Sequence, residues 1–474
     1  MKIKTEAFVE TAERELENKS TRAFLRFFPS ALSSGRSRAM ASFPDPDAAL
    51  HYGSDIRKEA VERLPELLET FEKQAMTNGA NVFWARDSGE ANQYILNLAK
   101  QNDVSFVTKG KSMVTEEMGL NEYLVQNGIQ AYETDLGEFI IQLLERPPFH
   151  IVGPALNIPV DEIRDIFMEK GVLKKPTLDP VELGLSARLF LRDKFHKMKM
   201  GITGINIAVA ETGTIINVEN EGNIRFNKSS PRIQVSIMSL EKVVPTMRDA
   251  AHLLKMLCKS ATGQNLGAYV TFDTGPRKDD EIDGPEQLHI IILDNGRSRI
   301  YRDPKAREAF RCIRCGACLN HCPIYQQIGG YPYGWAYSGP MGQVLNPLLL
   351  GLEQTQDLFG SCTLCQACKI ICPAGIDHPE MLLYYRAKNR EKDSFLKGAG
   401  ASFFDRMLYR TFAFIAIHPG SWQYASRSLL RFIPRIKNSK QMNHMPAMVK
   451  GWFQVRDLPD LPTKTFHDLW KDIK

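Results

Sequence analysis

Eight of the nine cysteines in this 474-residue chain stand in two blocks, CIRCGACLNHCP from Cys312 and CTLCQACKIICP from Cys362. Each block reads C-x2-C-x2-C-x3-C-P. Every cysteine of the first has a counterpart fifty positions on: Cys312 with Cys362, Cys315 with Cys365, Cys318 with Cys368, Cys322 with Cys372. Such a repeat is an internal duplication of one metal-binding unit. Three thiolates on so tight a loop reach three iron corners of one cuboid, and the short gaps keep backbone amides against sulfur. The fourth cysteine opens a segment that the proline turns sharply away. In two-cluster ferredoxins with this run the fourth cysteine ligates the other cluster. The spacing therefore predicts two [4Fe–4S] clusters, one on Cys312, Cys315, Cys318 and Cys372, the other on Cys362, Cys365, Cys368 and Cys322. Structural zinc pairs one C-x2-C knuckle with a distant second pair, so it would leave thiolates over-supplied in each block. Disulfides do not fit a reducing compartment. The ninth cysteine, Cys258, sits in the apolar stretch HLLKMLCKS and reads as a small core residue.

The rest of the composition narrows the class. A chain of this length holds two or three domains and needs no covalent staples. Its net charge of +5 is too diffuse to argue for nucleic acid. The N-terminus has acidic residues and no apolar core of a secretion signal, and the richest apolar stretch, MLYRTFAFIAIHPGSW, is interrupted by Arg410 and His418-Pro419. These features predict a cytoplasmic chain without a membrane span. The basic, amphipathic SLLRFIPRIKNSK leaves room for peripheral contact at the inner face of the membrane.

Along the chain, TRAFLRFFPSALSSGRSRAMASF reads as an exposed irregular arm, and RKEAVERLPELLETFEKQAMT as helix with a kink or boundary at Pro65. An alternation follows. NVFWA, VSFVTK, IQAYE and FHIVG read as strands, with helices GEANQYILNLAKQN, TEEMGLNEYLVQNG and LGEFIIQLLE between them. Short apolar strands alternating with helices of this length imply βαβ units and a mainly parallel sheet. From Gly201 the glycine-rich, β-branched GITGINIAVAETGTIINVENEGNIRF predicts extended segments and tight turns. VVPTMRDAAHLLKMLCKS is a predicted helix, LGAYVTF and QLHIIILDN are predicted strands, and the chain after the cysteine region reads as helical and basic. Four parts result: an N-terminal helical arm over 1–70, an α/β domain over 71–298, a two-cluster domain over 299–390 and a helical basic region over 391–474.

No site for bond-making chemistry stands out. The dinucleotide fingerprint G-x-G-x-x-G is absent, as are the phosphate loop, the G-x-S-x-G elbow and H-E-x-x-H. No catalytic residue is therefore assigned. Glu211, in VAETGTI, reads either as a carboxylate nucleophile or base in a glycine-lined pocket or as a hydrogen-bonded turn acid. Arg311, Arg314 and Lys369 flank cluster cysteines, either moderating negative charge or facing water. The aromatic, glycine-rich IGGYPYGWAYSGPMGQV between the blocks reads either as a cap that keeps water from a cluster or as a plain structural loop packed on the clusters. A chain that carries electrons without a hydride site points to an electron-transfer subunit serving a catalytic partner.

KGKSMVTEEMGLNEYL, ETDLGEFIIQL, FHIVGPAL, GITGINIAVAETGTIINVENEGN, GPEQLHIIILDNGRS, the duplicated cysteine blocks, GGYPYGWAYSGPMG and KGWFQVRDLP together resemble the bacterial lactate utilisation protein B family. The resemblance implies a LUD domain, an α/β fold similar to sugar-phosphate isomerases and CoA-transferases with a mainly parallel sheet. A mostly helical ferredoxin-like domain with two [4Fe–4S] clusters and a helical C-terminal region would follow it. It implies electron transfer in the oxidation of L-lactate to pyruvate, beside two sister proteins, one similar to the cysteine-rich subunits of heterodisulfide reductase and one a second LUD protein. The electron acceptor, a quinone or a soluble carrier, is left open. A rival reading makes the LUD domain itself a CoA-transferase-like or isomerase-like enzyme, with Glu211 as its acid and the clusters regulatory or structural.

Overall fold

The stretch QLHIIIL alternates side chains between two faces, and both carry apolar residues: Leu288, Ile290 and Ile292 on one, Ile291 and Leu293 on the other. A strand of this kind must be covered on both sides. In the computed structural model, which describes residues 3–436, 462 and 464–473, it lies inside a six-stranded sheet. The strands are β1 (Asn81–Ala85), β2 (Phe106–Lys109), β3 (Gln130–Glu133), β4 (Met200–Gly204), β5 (Ile207–Val209), β6 (Thr214–Glu219), β7 (Ile233–Ser239), β8 (Val243–Val244), β9 (Tyr269–Asp273) and β10 (Gln287–Leu293). The main sheet runs β1-β10-β7-β4-β2-β3, and every pairing in it is parallel. A smaller sheet, β8-β5-β6-β9, is mixed.

The two faces of β10 enter different cores. Leu288, Ile290 and Ile292 pack with Leu64, Leu68 and Phe71 of the helix Leu64–Thr77. Ile291 and Leu293 pack with Ile95 and Ala99 of the helix Ser88–Gln101. The first of these cores also holds Phe310, Tyr337, Met341 and Val344, and Cys312, Cys318, Cys362 and Cys372 pack against it. The cysteine region thus shares one hydrophobic core with the sheet. Residues 1–399 form one compact unit, and residues 400–474 a second.

Several sequence expectations meet the structure directly. Pro65 marks a true boundary, since one helix ends at Glu62 and the next begins at Leu64. Cys258 is buried on the helix Met247–Ala261. TEEMGLNEYLVQNG breaks into two short helices because Gly119 adopts φ +64°, a left-handed turn that costs glycine little. Two readings fail. The predicted irregular arm is a helix, Lys19–Met40, capped by the Asn18 side chain on the Thr21 amide, with Leu25, Pro29, Arg36 and Met40 buried. FHIVG is not a strand. Its apolar residues serve side-chain packing instead of a ladder: Phe149 is buried among Phe8, Leu25, Tyr325 and Tyr333, and its carbonyl accepts from the Tyr325 hydroxyl at 2.8 Å.

In the second unit the helices Phe403–Ile417 and Pro419–Ile436 meet at His418-Pro419, where the sequence placed the break. The Asp405 amide is capped by Ser402 at 3.0 Å, and Arg427 is ion-paired with Asp468. KGWFQVRDLP and the last residues of SLLRFIPRIKNSK lie outside the described residues.

Candidate iron–sulfur centre

The duplication in sequence is repeated in backbone. Each block is entered from a short helix, Ala306–Arg311 in the first and Gln356–Gly360 in the second. Each then turns through two left-handed residues. These are Arg314 (φ 60°) and Gly316 (φ 74°) in the first, Leu364 (φ 56°) and Gln366 (φ 66°) in the second. Three of the four carry a side chain in a region such residues rarely occupy, so the surroundings must hold them there. The turn aims backbone amides at sulfur. The Arg314 amide donates to Cys312 Sγ at 3.3 Å, the Leu364 amide to Cys362 Sγ at 3.4 Å and the Ile376 amide to Cys372 Sγ at 3.4 Å. A one-turn helix then carries the third cysteine of each block, Ala317–His321 with Cys318 and Ala367–Ile370 with Cys368.

The cysteines gather crosswise. Cys312, Cys315 and Cys318 line one cavity together with Cys372 of the other block. Cys322 in turn lies within electrostatic reach of Cys362 and Cys365, and Cys368 within reach of all three. Burial pushes the thiols of Cys315 and Cys368 up to about 12 and those of Cys322 and Cys372 to about 11. Without metal they are therefore protonated at neutral pH, and a metal ion that binds them displaces the proton. No disulfide joins any of the nine cysteines.

The surroundings fit an anionic cluster. The cavity on Cys312, Cys315, Cys318 and Cys372 has apolar walls from Met113, Ile151, Ile313, Leu319 and Met341. Three guanidinium nitrogens nearby, Arg36 Nε, Arg311 Nε and Arg314 Nη1, are buried without a partner. Buried donors normally find acceptors, and the sulfur atoms of a cluster with thiolate ligands are acceptors of this kind. The aromatic segment between the blocks packs inward: Tyr333, Trp335 and Tyr337 are all buried, and Tyr337 lines the cysteine cavity. Of the flanking cations, Arg311 and Arg314 turn inward and Lys369 faces water, paired with Asp377.

Sequence reading missed the charges beneath the first block. Glu117, Glu241 and Arg297 look like ordinary surface residues in the chain, yet their side chains have 0% exposure. Arg297 makes a double contact to Glu117 at 2.8 and 2.7 Å and reaches Glu241 at 3.1 Å. Glu241 then holds Arg314 at 2.8 Å, and the Tyr337 hydroxyl donates to Glu117 at 2.7 Å. Burial alone would raise the Glu241 carboxyl, but Arg297 and Arg314 outweigh it and hold it down at about 2. Arg57, also buried, donates to the carbonyls of Glu241, Val243, Phe310 and Arg311 at 2.6–3.1 Å. No periodicity marks these residues, because their partners stand 56–254 positions away.

A second cavity opens at the carboxyl ends of β2 and β3, where parallel sheets present ligand sites. Glu116, Glu133 and Glu138 line it, with Tyr331 and Trp335 on the far wall. Lys109, at the end of β2, is buried against Glu133 at 2.7 Å and Glu116 at 3.2 Å. Glu211 lies elsewhere. It is exposed, and its Oε1 accepts from the Met247 amide at 2.6 Å at the start of a helix.

Fold and site together define a class, an α/β protein with an iron–sulfur dicluster module built into its core. Comparison with known proteins agrees. Residues 68–293 match the LUD domain, residues 308–376 the 4Fe-4S dicluster domain, and residues 384–474 the C-terminal domain of lactate utilisation protein B. Lactate utilization protein B of Oceanobacillus iheyensis is 40% identical over 420 residues, 89% of this chain and 86% of that protein. Its namesake from Bacillus subtilis is 36% identical over 473 residues, 100% of this chain and 97% of that one. A solved DUF162 family protein from Deinococcus radiodurans covers 48% of this chain at 14% identity and a TM-score of 0.29, a likeness that carries no argument here. The chain belongs to the lactate utilisation protein B family, and its role is in lactate utilisation with iron–sulfur clusters. Two clusters fit the dicluster domain.

Proposed function

We propose that this chain is the electron-transfer subunit of a system that oxidises L-lactate to pyruvate. The observation that carries the reading is the crosswise gathering of eight cysteines from the two blocks, four of them packed against the core shared with the LUD sheet. When bound, [4Fe–4S] clusters supply one-electron chemistry. The residues of this chain hold them, aim amides at their sulfur atoms and keep water from the first quartet. Oxidation of lactate to the keto acid releases two electrons, which the chain accepts singly from a partner and passes on to a quinone or a soluble carrier. The partners in this reading are two sister subunits, one similar to the cysteine-rich subunits of heterodisulfide reductase and one a second LUD protein. The chain works in the cytoplasm. Its helical C-terminal unit exposes Phe403, Phe404, Phe412 and Ile417, apolar side chains suited to resting on the inner membrane surface.

The rival reading, a transferase-like or isomerase-like LUD enzyme, rested on Glu211. That carboxylate serves as an acceptor for a helix amide on the surface, which supports the structural role. The deciding experiment is anaerobic assembly with the two partners, addition of L-lactate, and observation of iron–sulfur absorbance, EPR and pyruvate together. Bleaching with formation of pyruvate is the expected result. Clusters that dithionite reduces but lactate does not would overturn the substrate assignment.

A further inference from the structure

The two cysteine blocks are alike in sequence and backbone but lie in unlike surroundings. Every residue of the first, from Arg311 to Cys322, is buried or half-buried. In the second, Thr363, Cys365, Gln366, Lys369 and Ile370 are exposed, Ile370 by 73%.

The charges are just as unequal. Arg36, Arg57, Lys242, Arg297 and Arg311 are buried beneath or beside the first block, and the side chain of Arg314 is only 8% exposed. They are opposed by Glu117 and Glu241, also buried, and by the more exposed Glu308, which pairs with Arg311 at 2.8 Å. Six cations thus face three carboxylates in a region with little water to compensate them. A buried charge without a partner is costly, so this arrangement calls for an anion. The cavity it surrounds is the one on Cys312, Cys315, Cys318 and Cys372, whose cluster would carry net negative charge. Arg36 donates to the Ile371 carbonyl at 2.9 Å, next to Cys372, and its Nε remains unpaired, as do Arg311 Nε and Arg314 Nη1. Among the described residues, the second block has Lys369, paired with Asp377 at its surface, and Arg386. Its nitrogens bond the carbonyls of Phe359, Gly360 and Cys362 at 2.7–3.2 Å.

We propose that these buried cations hold the first cluster at the higher reduction potential of the two, so that an electron arriving at the exposed second block settles on the first, beside the sheet. The cations stabilise the reduced, more negative cluster more than the oxidised one. Charge, hydrogen bonding to sulfur and solvent access are the levers that set such potentials. Water around the second block favours its reduced form as well, but full charges in a low-dielectric interior are screened far less than charges at the surface. The step is a one-electron transfer in which the second cluster is oxidised as the first is reduced, and no bond forms or breaks. The direction rests on the electron-transfer reading above, whereas the order of potentials is measured without lactate.

The test is a potentiometric titration of the full chain, assembled anaerobically with both clusters, against dithionite and followed by EPR. Two midpoint potentials are expected, with Cys365→Ser altering the lower signal. Arg36→Gln and Arg314→Gln should each shift the upper midpoint down and leave the lower in place. Glu241→Gln, which removes a negative charge, should shift the upper midpoint up. Opposite shifts from the two kinds of substitution separate electrostatics from general loosening, which would move both alike. If Arg314→Gln fails to hold its cluster, Arg36→Gln, on a helix outside the cysteine blocks, decides the matter. Coincident midpoints, or substitutions that move the lower signal or neither one at full iron content, would overturn the proposal. A chain that passes this titration but is not reduced by lactate with its partners would refute the lactate reading alone.

Discussion

Arg57 stands some 250 residues before the first cysteine block and bonds two of the carbonyls that lead into it, those of Phe310 and Arg311. Arg386 does the same for the second block through Phe359, Gly360 and Cys362. Each left-handed loop thus has an outside clamp. Arg57→Ala would strand four buried carbonyls and should cost about 3–5 kcal/mol, read as a lower midpoint in chemical denaturation. His150 offers a second test. It is buried, its Nδ1 accepts from the Val152 amide at 3.1 Å, and burial lowers it from 6.5 to about 4. The unfolded chain therefore binds a proton between those pH values that the folded chain refuses. Stability should be full above about pH 6.5 and fall on acidification, by up to about 1.4 kcal/mol per pH unit. His150→Gln should flatten that slope relative to the parent in paired denaturation curves.

Among the elements, the loop over 329–337 shows why some of the fold was legible and some was not. Its glycines and aromatics announced close packing, and a Cβ at Gly330 would be driven into the Phe149 carbonyl. Gly330→Ala should cost about 1–3 kcal/mol and lower iron content, checked by denaturation and iron analysis. The partner of that loop, FHIVG, misled. Five apolar-rich residues look the same whether they enter a ladder or fill a gap between helices, and only tertiary contacts distinguish them. The Lys19–Met40 helix was hidden for a similar reason. Its serines, glycine and proline weaken local propensity, and its stability comes from burying one face. The cysteine loops were easy because ligand spacing is a local property. The ion network under them was invisible because it joins Glu117, Glu241 and Arg297 across the chain.

For the molecule as a whole, the parallel sheet and the duplicated metal unit could be read from the chain, but not the core that unites them. Strand order is a matter of distant pairing: β10, late in sequence, inserts between β1 and β7. That insertion brings the cysteine region directly after it onto the sheet. The crosswise quartets carry a further prediction. Cys372→Ser should share the defect of Cys312→Ser, and Cys322→Ser that of Cys362→Ser, although each pair spans both blocks. EPR and iron analysis of the four variants would check this, each variant losing one cluster signal. Pairing by block instead of across blocks would contradict the assignment.

The crossed ligands also bear on biosynthesis. In the crossed assignment, a nascent chain that has emerged only as far as the first block would own three of the four thiols of its first metal site, and the last, Cys372, is among the final residues of the second block. Neither site could then be completed until both blocks had left the ribosome, and metal loading would be timed by the chain itself to follow synthesis of nearly the entire first unit.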